Sequence, residues 1–337
     1  MKILVTGGLG FIGSHTVVEL QDKGFEVVIV DNCSNASEDV LQGISGISGK
    51  APIFEKLDLR EEDKVRELFE RHQDIKGIIH FAASKAVGES VEKPLLYYEN
   101  NLHSLIYLLK RMSATGGAFI FSSSCTVYGQ ADEMPITENA PVKPAESPYG
   151  NTKKMGEEIV RDTCSVTPEL KAISLRYFNP IGAHPSGNIG ELPIGVPQNL
   201  VPFITQTAAG IRKELSVFGN DYPTSDGTCI RDYIHVVDLA KAHVVALERI
   251  LNHKQEGNYE IFNLGTGKGS TVLEVIESFQ RVSGKNLNYR IVERRPGDIT
   301  EAYADTTKAN RILGWKAEST LDDAMKSAWT WQQKLRG

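Results

Sequence analysis

The sequence predicts an α/β fold, a doubly wound parallel sheet followed by a smaller mixed α/β part. Three observations carry that prediction. Short apolar runs rich in β-branched residues alternate with helical stretches through the first half of the chain. The runs are continuous rather than alternating, as strands covered on both faces are. The first run opens into Thr6-Gly7-Gly8-Leu9-Gly10-Phe11-Ile12-Gly13, a glycine pattern set between a strand and a helix.

In order, strands are expected at 3–6, 27–30, 53–57, 78–81, 118–122 and 172–176, with helices near 12–23, 61–71, 95–112 and 149–163. Strands separated by helices of this length imply right-handed crossovers. After about residue 180 the texture changes. Residues 179–195 are rich in Gly, Pro and His and read as an irregular functional loop. Beyond it a helix is expected at 238–251, a strand at 259–264, and helices near 272–283 and 321–334. Residues 1–180 thus form a nucleotide-binding domain and 181–337 a second one, with a soft boundary that the chain is free to cross.

The 337 residues are 41% hydrophobic and 24% charged, enough for a sizeable core. A net charge of -6 argues against a nucleic-acid surface but leaves room for a local anion site. Cys33, Cys125, Cys164 and Cys229 lie far apart without a C-x-x-C pair, so no metal site and no disulfide framework is signalled. No apolar run approaches the ~20 residues that span a bilayer, and Met1-Lys2 leads straight into the first strand. A cytoplasmic protein with no membrane partner is expected.

In the glycine loop, Gly7 permits the tight turn, Gly10 lets backbone approach a pyrophosphate, and Gly13 lets helix pack against strand. The helix N-terminus offers N–H groups and partial positive charge to phosphates. Asp31 ends the second strand, where a carboxylate accepts bonds from an adenosine ribose and repels a 2′-phosphate. No Arg stands beside it, so NAD is favoured over NADP.

Of eleven tyrosines, only Tyr149 has a lysine four residues later, Lys153, on the same helix face. Ser147-Pro148 reads as an N-cap with Pro at the first helical position. A helix N-terminus, an ammonium and a cationic nicotinamide all favour phenolate, so the Tyr149 pKa is expected to fall toward neutral. The strand at 118–122 runs into Ser122-Ser123-Ser124, at the strand end where such sheets hold ligands. Any of these hydroxyls can share a proton with Tyr149. Ser122 and Ser123 read more simply as satisfying backbone there.

The glycine loop, Ser124 and Tyr149-x-x-x-Lys153 together resemble the extended short-chain dehydrogenase family. His80-Phe81-Ala82 and the stretches 85–90, 176–180, 182–187, 218–222, 231–235 and 295–298 narrow the resemblance to its UDP-hexose 4-epimerases, from Met1 to the Trp331 region. The resemblance implies a Rossmann-like fold, NAD, a UDP-sugar substrate and exchange of UDP-galactose with UDP-glucose by oxidation and re-reduction at carbon 4. It makes Tyr149 the base, Lys153 its electrostatic partner and Ser124 a ligand of the sugar hydroxyl. Gly7, Gly10, Phe11, Ile12, Gly13, Asp31, Asn32, Asn35, Asp58, Leu59, Phe81, Ala82 and Lys85 would hold the cofactor. Phe178, Asn179, Asn199, Leu200, Phe218, Arg231, Tyr233, Arg295, Asp298 and Ala302 would hold the substrate. Guanidinium forks suit a diphosphate, which agrees for Arg231 and Arg295.

Two departures from the family pattern stand out: Ala83-Ser84 for the usual Gly-Leu, and His103-Ser104-Leu105 after Asn101. Three other readings are weighed. A 4,6-dehydratase would carry an Asp-Glu pair where Cys125 and Thr126 stand, and a uronate decarboxylase a Glu at Thr126. A non-catalytic NAD-binding sensor has no need of Tyr149, Lys153 or the arginines. On the 95–112 helix, Leu95, Tyr98, Leu102, Leu105 and Leu109 form one apolar stripe and Tyr97, Leu108 and Met112 another. One can cover the sheet and the other a partner, which with the resemblance points to a homodimer. In the family, the residue four places after Asp298 borders the hexose near carbon 2. Here it is Ala302, with Tyr303 expected to face away, so N-acetylated UDP-hexoses are expected to fit as well.

Overall fold

The apolar runs become strands β1 (Lys2–Thr6), β2 (Glu26–Asp31), β3 (Ile53–Lys56), β4 (Ile75–His80), β5 (Gly117–Ser122) and β6 (Leu170–Tyr177) in a computed structural model that describes residues 1–295 and 298–335. A seventh strand, Tyr259–Leu264, returns from far along the chain to pair with β6. The sheet is wholly parallel, in the order Tyr259–Leu264, β6, β5, β4, β1, β2, β3.

Alternation along each strand divides two cores. Ile3 and Val5 face one side with Val17 and Leu20 of α1 (Phe11–Asp22), Ile44 of α2 (Val40–Ser48) and Leu239 and Leu247 of the helix Val236–Leu251. Leu4 and Val28 face the other, with Leu68 of α3 (Glu62–Arg71), Leu108 of the long helix Pro94–Thr115 and Val160 of the helix Pro148–Val166. The short helix α4 (Val87–Glu92) precedes Pro94–Thr115, so these last two helices are α5 and α6.

The second half builds a core from Val201, Ile204, Val275, Phe279 and Met325. Its helices are Leu200–Ala208, Val272–Ser283 and Leu321–Lys334. Its strands are short: Asn179–Ile181 pairs with Tyr233–His235, Leu215–Phe218 with Tyr289–Val292, and Ile230–Arg231 lies between Ser270–Thr271 and Glu301–Ala302. The stretch expected to be irregular therefore opens with a strand, whose Asn179 N–H bonds Asp232 at 2.9 Å.

On α5 the second stripe and the C-terminal part of the first turn inward together. Tyr97, Leu105, Leu108, Leu109 and Met112 are all buried, while Leu95 is 75% exposed. Leu102 and Ile106 are half-buried. The face left open is thus narrower than the stripe expected, because Leu105 and Leu109 pack under the helix. No helix of the described residues is long and apolar enough to cross a membrane.

Candidate functional site

The C-terminal ends of β1, β2, β4, β5 and β6 meet around the glycine loop, where the strand order reverses. Gly7 has φ +66°, and a Cβ there would stand 2.8 Å from the Ala82 nitrogen. A Cβ on Gly13 would meet the Gly7 carbonyl at 2.2 Å, so helix and loop touch through hydrogen alone. A Cβ on Gly10 would instead meet only the Gly7 carbonyl within 4 Å, at 3.2 Å, so the space beside it is otherwise open. Helix α1 starts at Phe11 and Ile12 with no side-chain cap, leaving first-turn N–H groups for an anion. Buried Thr6 secures the far wall: its Oγ1 lies 2.8 Å from His80 Nδ1 and accepts the Ala82 N–H at 3.3 Å.

Asp31 at the end of β2 accepts the Leu9 and Cys33 N–H groups at 3.2 and 2.9 Å. Burial raises its carboxyl pKa, and these two bonds oppose that. Asn32 reaches Asp58 at 3.3 Å, and Arg60 holds Asp58 so that its pKa falls to about 2. Asn35 lies on the exposed rim and Leu59 is buried beside Asp58. Phe81 packs 4.7 Å from the His243 ring. The departure at Ser84 is secured by Asn101, which accepts the Ser84 N–H at 2.8 Å and donates to its carbonyl at 3.1 Å. His103 is exposed.

Helix α6 begins as expected, with Ser147 capping the Gly150 N–H at 3.1 Å and Pro148 in the first turn. Tyr149 and Lys153 are both buried. Lys153 Nζ donates to the Ser122 carbonyl at 2.7 Å and lies 5.9 Å from the Tyr149 ring centre. Burial lowers the Lys153 pKa to about 8, with Glu157 opposing. The expectation of a lowered Tyr149 pKa is not met in the protein alone. Burial drives it upward and Tyr177 adds to that, while Ser124 favours the phenolate. The helix start and a lysine committed to a carbonyl do not outweigh desolvation.

Ser124 caps the turn Cys125–Tyr128 by accepting the Thr126 N–H at 3.2 Å. Ser122 and Ser123 do more than satisfy backbone, since Ser122 Oγ bonds Tyr177 at 2.8 Å and Ser123 Oγ bonds Glu157 at 2.5 Å. Tyr177 carried no spacing signal that would have singled it out, whereas Thr6 heads the glycine pattern and Glu157 stands four residues after Lys153.

On the opposite wall, Arg295 pairs with Asp298 at 2.9 Å and lies 4.8 Å over the Phe218 ring. Arg231 approaches Asp298 at 3.9 Å. Pro296 and Gly297 of that motif lie outside the described residues. Burial pushes the Cys125 thiol up to about 12, and the Arg231 charge opposes this. Tyr233 pairs in register with Asn179, and Phe178 is buried against Val127 and Ala302. Ala302 pairs with Arg231, while Tyr303 turns the other way, 3.4 Å from where a Cβ on Gly269 would stand. Asp232 pins this strand by accepting the Ala304 N–H at 3.2 Å. Asn199, just before Leu200, and Lys85 are both drawn to Glu191 instead, at 2.5 and 3.4 Å.

A family model described as GDP-mannose 4,6 dehydratase matches residues 4–328. The UDP-glucose 4-epimerase of Bacillus subtilis is 51% identical over 98% of this chain and 97% of its own. A UDP-glucose-4-epimerase structure from Stenotrophomonas maltophila, with bound NAD and formylated UDP-arabinopyranose, superposes with a TM-score of 0.96 at 46% identity, covering 100% and 99% of the two chains. That of the Bifidobacterium longum enzyme, in complex with NAD+ and UDP, gives 0.93 at 47% identity over 99% and 98%. The chain belongs to the extended short-chain dehydrogenase family and, within it, to the UDP-glucose 4-epimerases.

Proposed function

We propose that this chain interconverts UDP-galactose and UDP-glucose with NAD as a resident cofactor. The observation that carries the reading is the convergence of Tyr149, Lys153 and Ser124 at one strand end beside the glycine loop. The cradle in front of Gly10 and the uncapped start of α1 fit a dinucleotide pyrophosphate. Asp31, Asn32 and Asp58 would take its adenosine end, and Phe81, Ala82 and Lys153 the nicotinamide end. When bound, NAD supplies a cationic hydride acceptor that becomes the donor on the return.

Tyr149 takes the proton from the sugar hydroxyl at carbon 4 and gives it back at the end of the cycle. Ser124 orients that hydroxyl, and Lys153 contributes positive charge that favours the phenolate. Arg231 and Arg295 hold the diphosphate, so the 4-keto sugar turns about that anchor and presents its other face. Asn179, Asn199, Leu200, Phe218, Tyr233 and Asp298 border the nucleotide. Lys85 and Asn199 must leave Glu191 to reach their ligands. Cys125 and Thr126 offer no carboxylate for eliminating water, which disfavours a dehydratase. The test is conversion of UDP-galactose in a coupled assay for UDP-glucose. Turnover in the unsubstituted chain and its loss in Tyr149→Phe support the reading; near-normal turnover in Tyr149→Phe refutes it.

Three finer features belong to the same reading. The small Ala302 beside Phe178, with Tyr303 turned away, supports acceptance of an N-acetyl group at the hexose. The open face of α5 and α6, around Ile106 and Ile159, suits a second copy of the chain. Light scattering at micromolar concentration should give twice the chain mass, and a monomer would refute the dimer. Four free cysteines suit a reducing cytoplasm.

A further inference from the structure

The most deeply buried ion pair of the site lies behind Lys153 rather than in front of it. Glu157 is one turn beyond Lys153 on α6, on the same helix face. Its carboxylate receives Arg176 Nε at 2.8 Å, Arg176 Nη2 at 2.5 Å and Ser123 Oγ at 2.5 Å. Side-chain exposure of the pair is 4% for Arg176 and 7% for Glu157. Arg176 Nη1 donates to Tyr128 at 2.9 Å, and Tyr128 donates to Asn263 at 2.6 Å. The network thus joins α6, the end of β5, β6, the turn after Ser124 and the seventh strand.

Two features set this cluster apart from an ordinary core ion pair. First, α6 grips consecutive residues of one strand end. Lys153 takes the Ser122 carbonyl, Glu157 takes the Ser123 hydroxyl, and Ser124 follows directly. Second, the charges do not balance: Glu157 is one anion beside two cations, Arg176 and Lys153. Around Lys153 stand Tyr149 and Glu157 from α6, His80 from β4, the Phe121 ring from β5 at 5.2 Å, and, near Tyr149, Cys125 and Tyr177. Burial takes the His80 imidazole down to about 3, so it stays neutral. Among these described groups Glu157 is the anion that sustains the Lys153 charge. A buried ion pair is a poor source of stability compared with packed apolar residues, so its presence here calls for another role.

We propose that Glu157 and Arg176 are positioning residues: the pair fixes the strand end that carries Ser124, and Glu157 keeps Lys153 an ammonium during turnover. The inference rests on the reading of Tyr149 and Lys153 given above. Removing the Glu157 charge takes away the anion one turn from Lys153 and leaves the Arg176 guanidinium unpaired; of the two cations, Lys153 is the one able to release its proton.

The test follows the Lys153 signal directly, by ¹³Cε-lysine NMR titration of the holoenzyme, beside kcat against pH. In Glu157→Gln the Lys153 titration and the alkaline limb of kcat should both move down by about one pH unit or more. In Glu157→Gln combined with Arg176→Met, which spares the fold an unpaired buried guanidinium, both should stay down. Glu157→Asp keeps the charge but shortens the reach, so it should lower kcat and leave the titration in place; it also serves if the Gln variant does not fold. A Lys153 titration unmoved in Glu157→Gln, or unmoved in the double variant when the single variant does not fold, overturns the proposal whatever happens to turnover. A titration that moves while the kcat limb stays fixed supports the charge link and refutes the part given to Lys153 in the reaction.

Discussion

The two walls of the site are organised by different means. On the glycine-loop side, recognition groups belong to buried backbone: the start of α1, the Ala82 segment held on Thr6, and strand ends whose neighbours are packed on both faces. On the Arg231 side they are side chains at the ends of two- and four-residue strands, with Phe218 36% exposed and Arg295 and Arg231 drawn to Asp298. The first wall is set by packing and, Lys85 apart, needs little rearrangement to bind. The second is set by ion pairs, which on the proposed reading a diphosphate would share or replace. Substitutions on the first wall should therefore act on chemistry and cofactor retention, and those on the second on substrate affinity.

The largest effect belongs where the first wall meets the chemistry. Tyr149→Phe and Lys153→Met should each lower kcat by at least ~10²-fold, with the circular dichroism spectrum unchanged. Near-normal turnover in both would remove the distinction between the walls. Next comes the loop itself. Gly13→Ala drives a Cβ to 2.2 Å from the Gly7 carbonyl oxygen and 2.9 Å from the Gly8 Cα, both backbone atoms. It should cost about 1–3 kcal/mol in stability and release cofactor, measured by thermal unfolding and by NAD content after gel filtration. On the second wall, Arg231→Met should raise KM for UDP-galactose by about tenfold, the scale of a charge-assisted hydrogen bond, and change kcat less. Equal losses in kcat and kcat/KM would show that this arginine acts in the transition state instead.

Smaller effects sharpen the picture. Ala302→Tyr should remove turnover of UDP-N-acetylgalactosamine and spare UDP-galactose, as kinetics on both substrates would reveal. For pH, Lys153 carries a pKa lowered to about 8 from 10.5. Its ammonium is lost as pH rises through 8, so kcat should decline above that value. The folded chain binds fewer protons than the unfolded chain between 8 and 10.5, so this group alone makes stability rise with pH across that window. A flat kcat from pH 7 to 9.5 would contradict the part given to the ammonium.

How much of this was legible in the sequence follows the same division. The parallel strands, α1, α6 and the helices Val272–Ser283 and Leu321–Lys334 announce themselves through apolar runs, caps and periodicity. Helix α2 does not, because Gly43 and Gly46 interrupt its pattern. Gly43 is there for contact, since a Cβ would stand 2.4 Å from the Asn188 carbonyl. Tyr149 and Lys153 are local in sequence and could be paired by spacing. Glu157, Ser123 and Arg176 are joined only when α6, β5 and β6 come together, and nothing in one segment reveals it. The elevated Tyr149 pKa was misjudged for a related reason. Spacing shows the lysine nearby, whereas desolvation depends on every element packed around the ring.

The central claim is that carbon 4 of the sugar is oxidised and re-reduced within one closed site, with Tyr149 moving the proton. The most direct measurement is turnover of UDP-galactose carrying deuterium at carbon 4, with product analysed by mass spectrometry, alongside unlabelled substrate in D2O. If the hydride is lent and returned within the site, UDP-glucose keeps the label in full and gains no carbon-bound deuterium from D2O. Washout of the label, or carbon-bound deuterium arriving from solvent, would contradict the account.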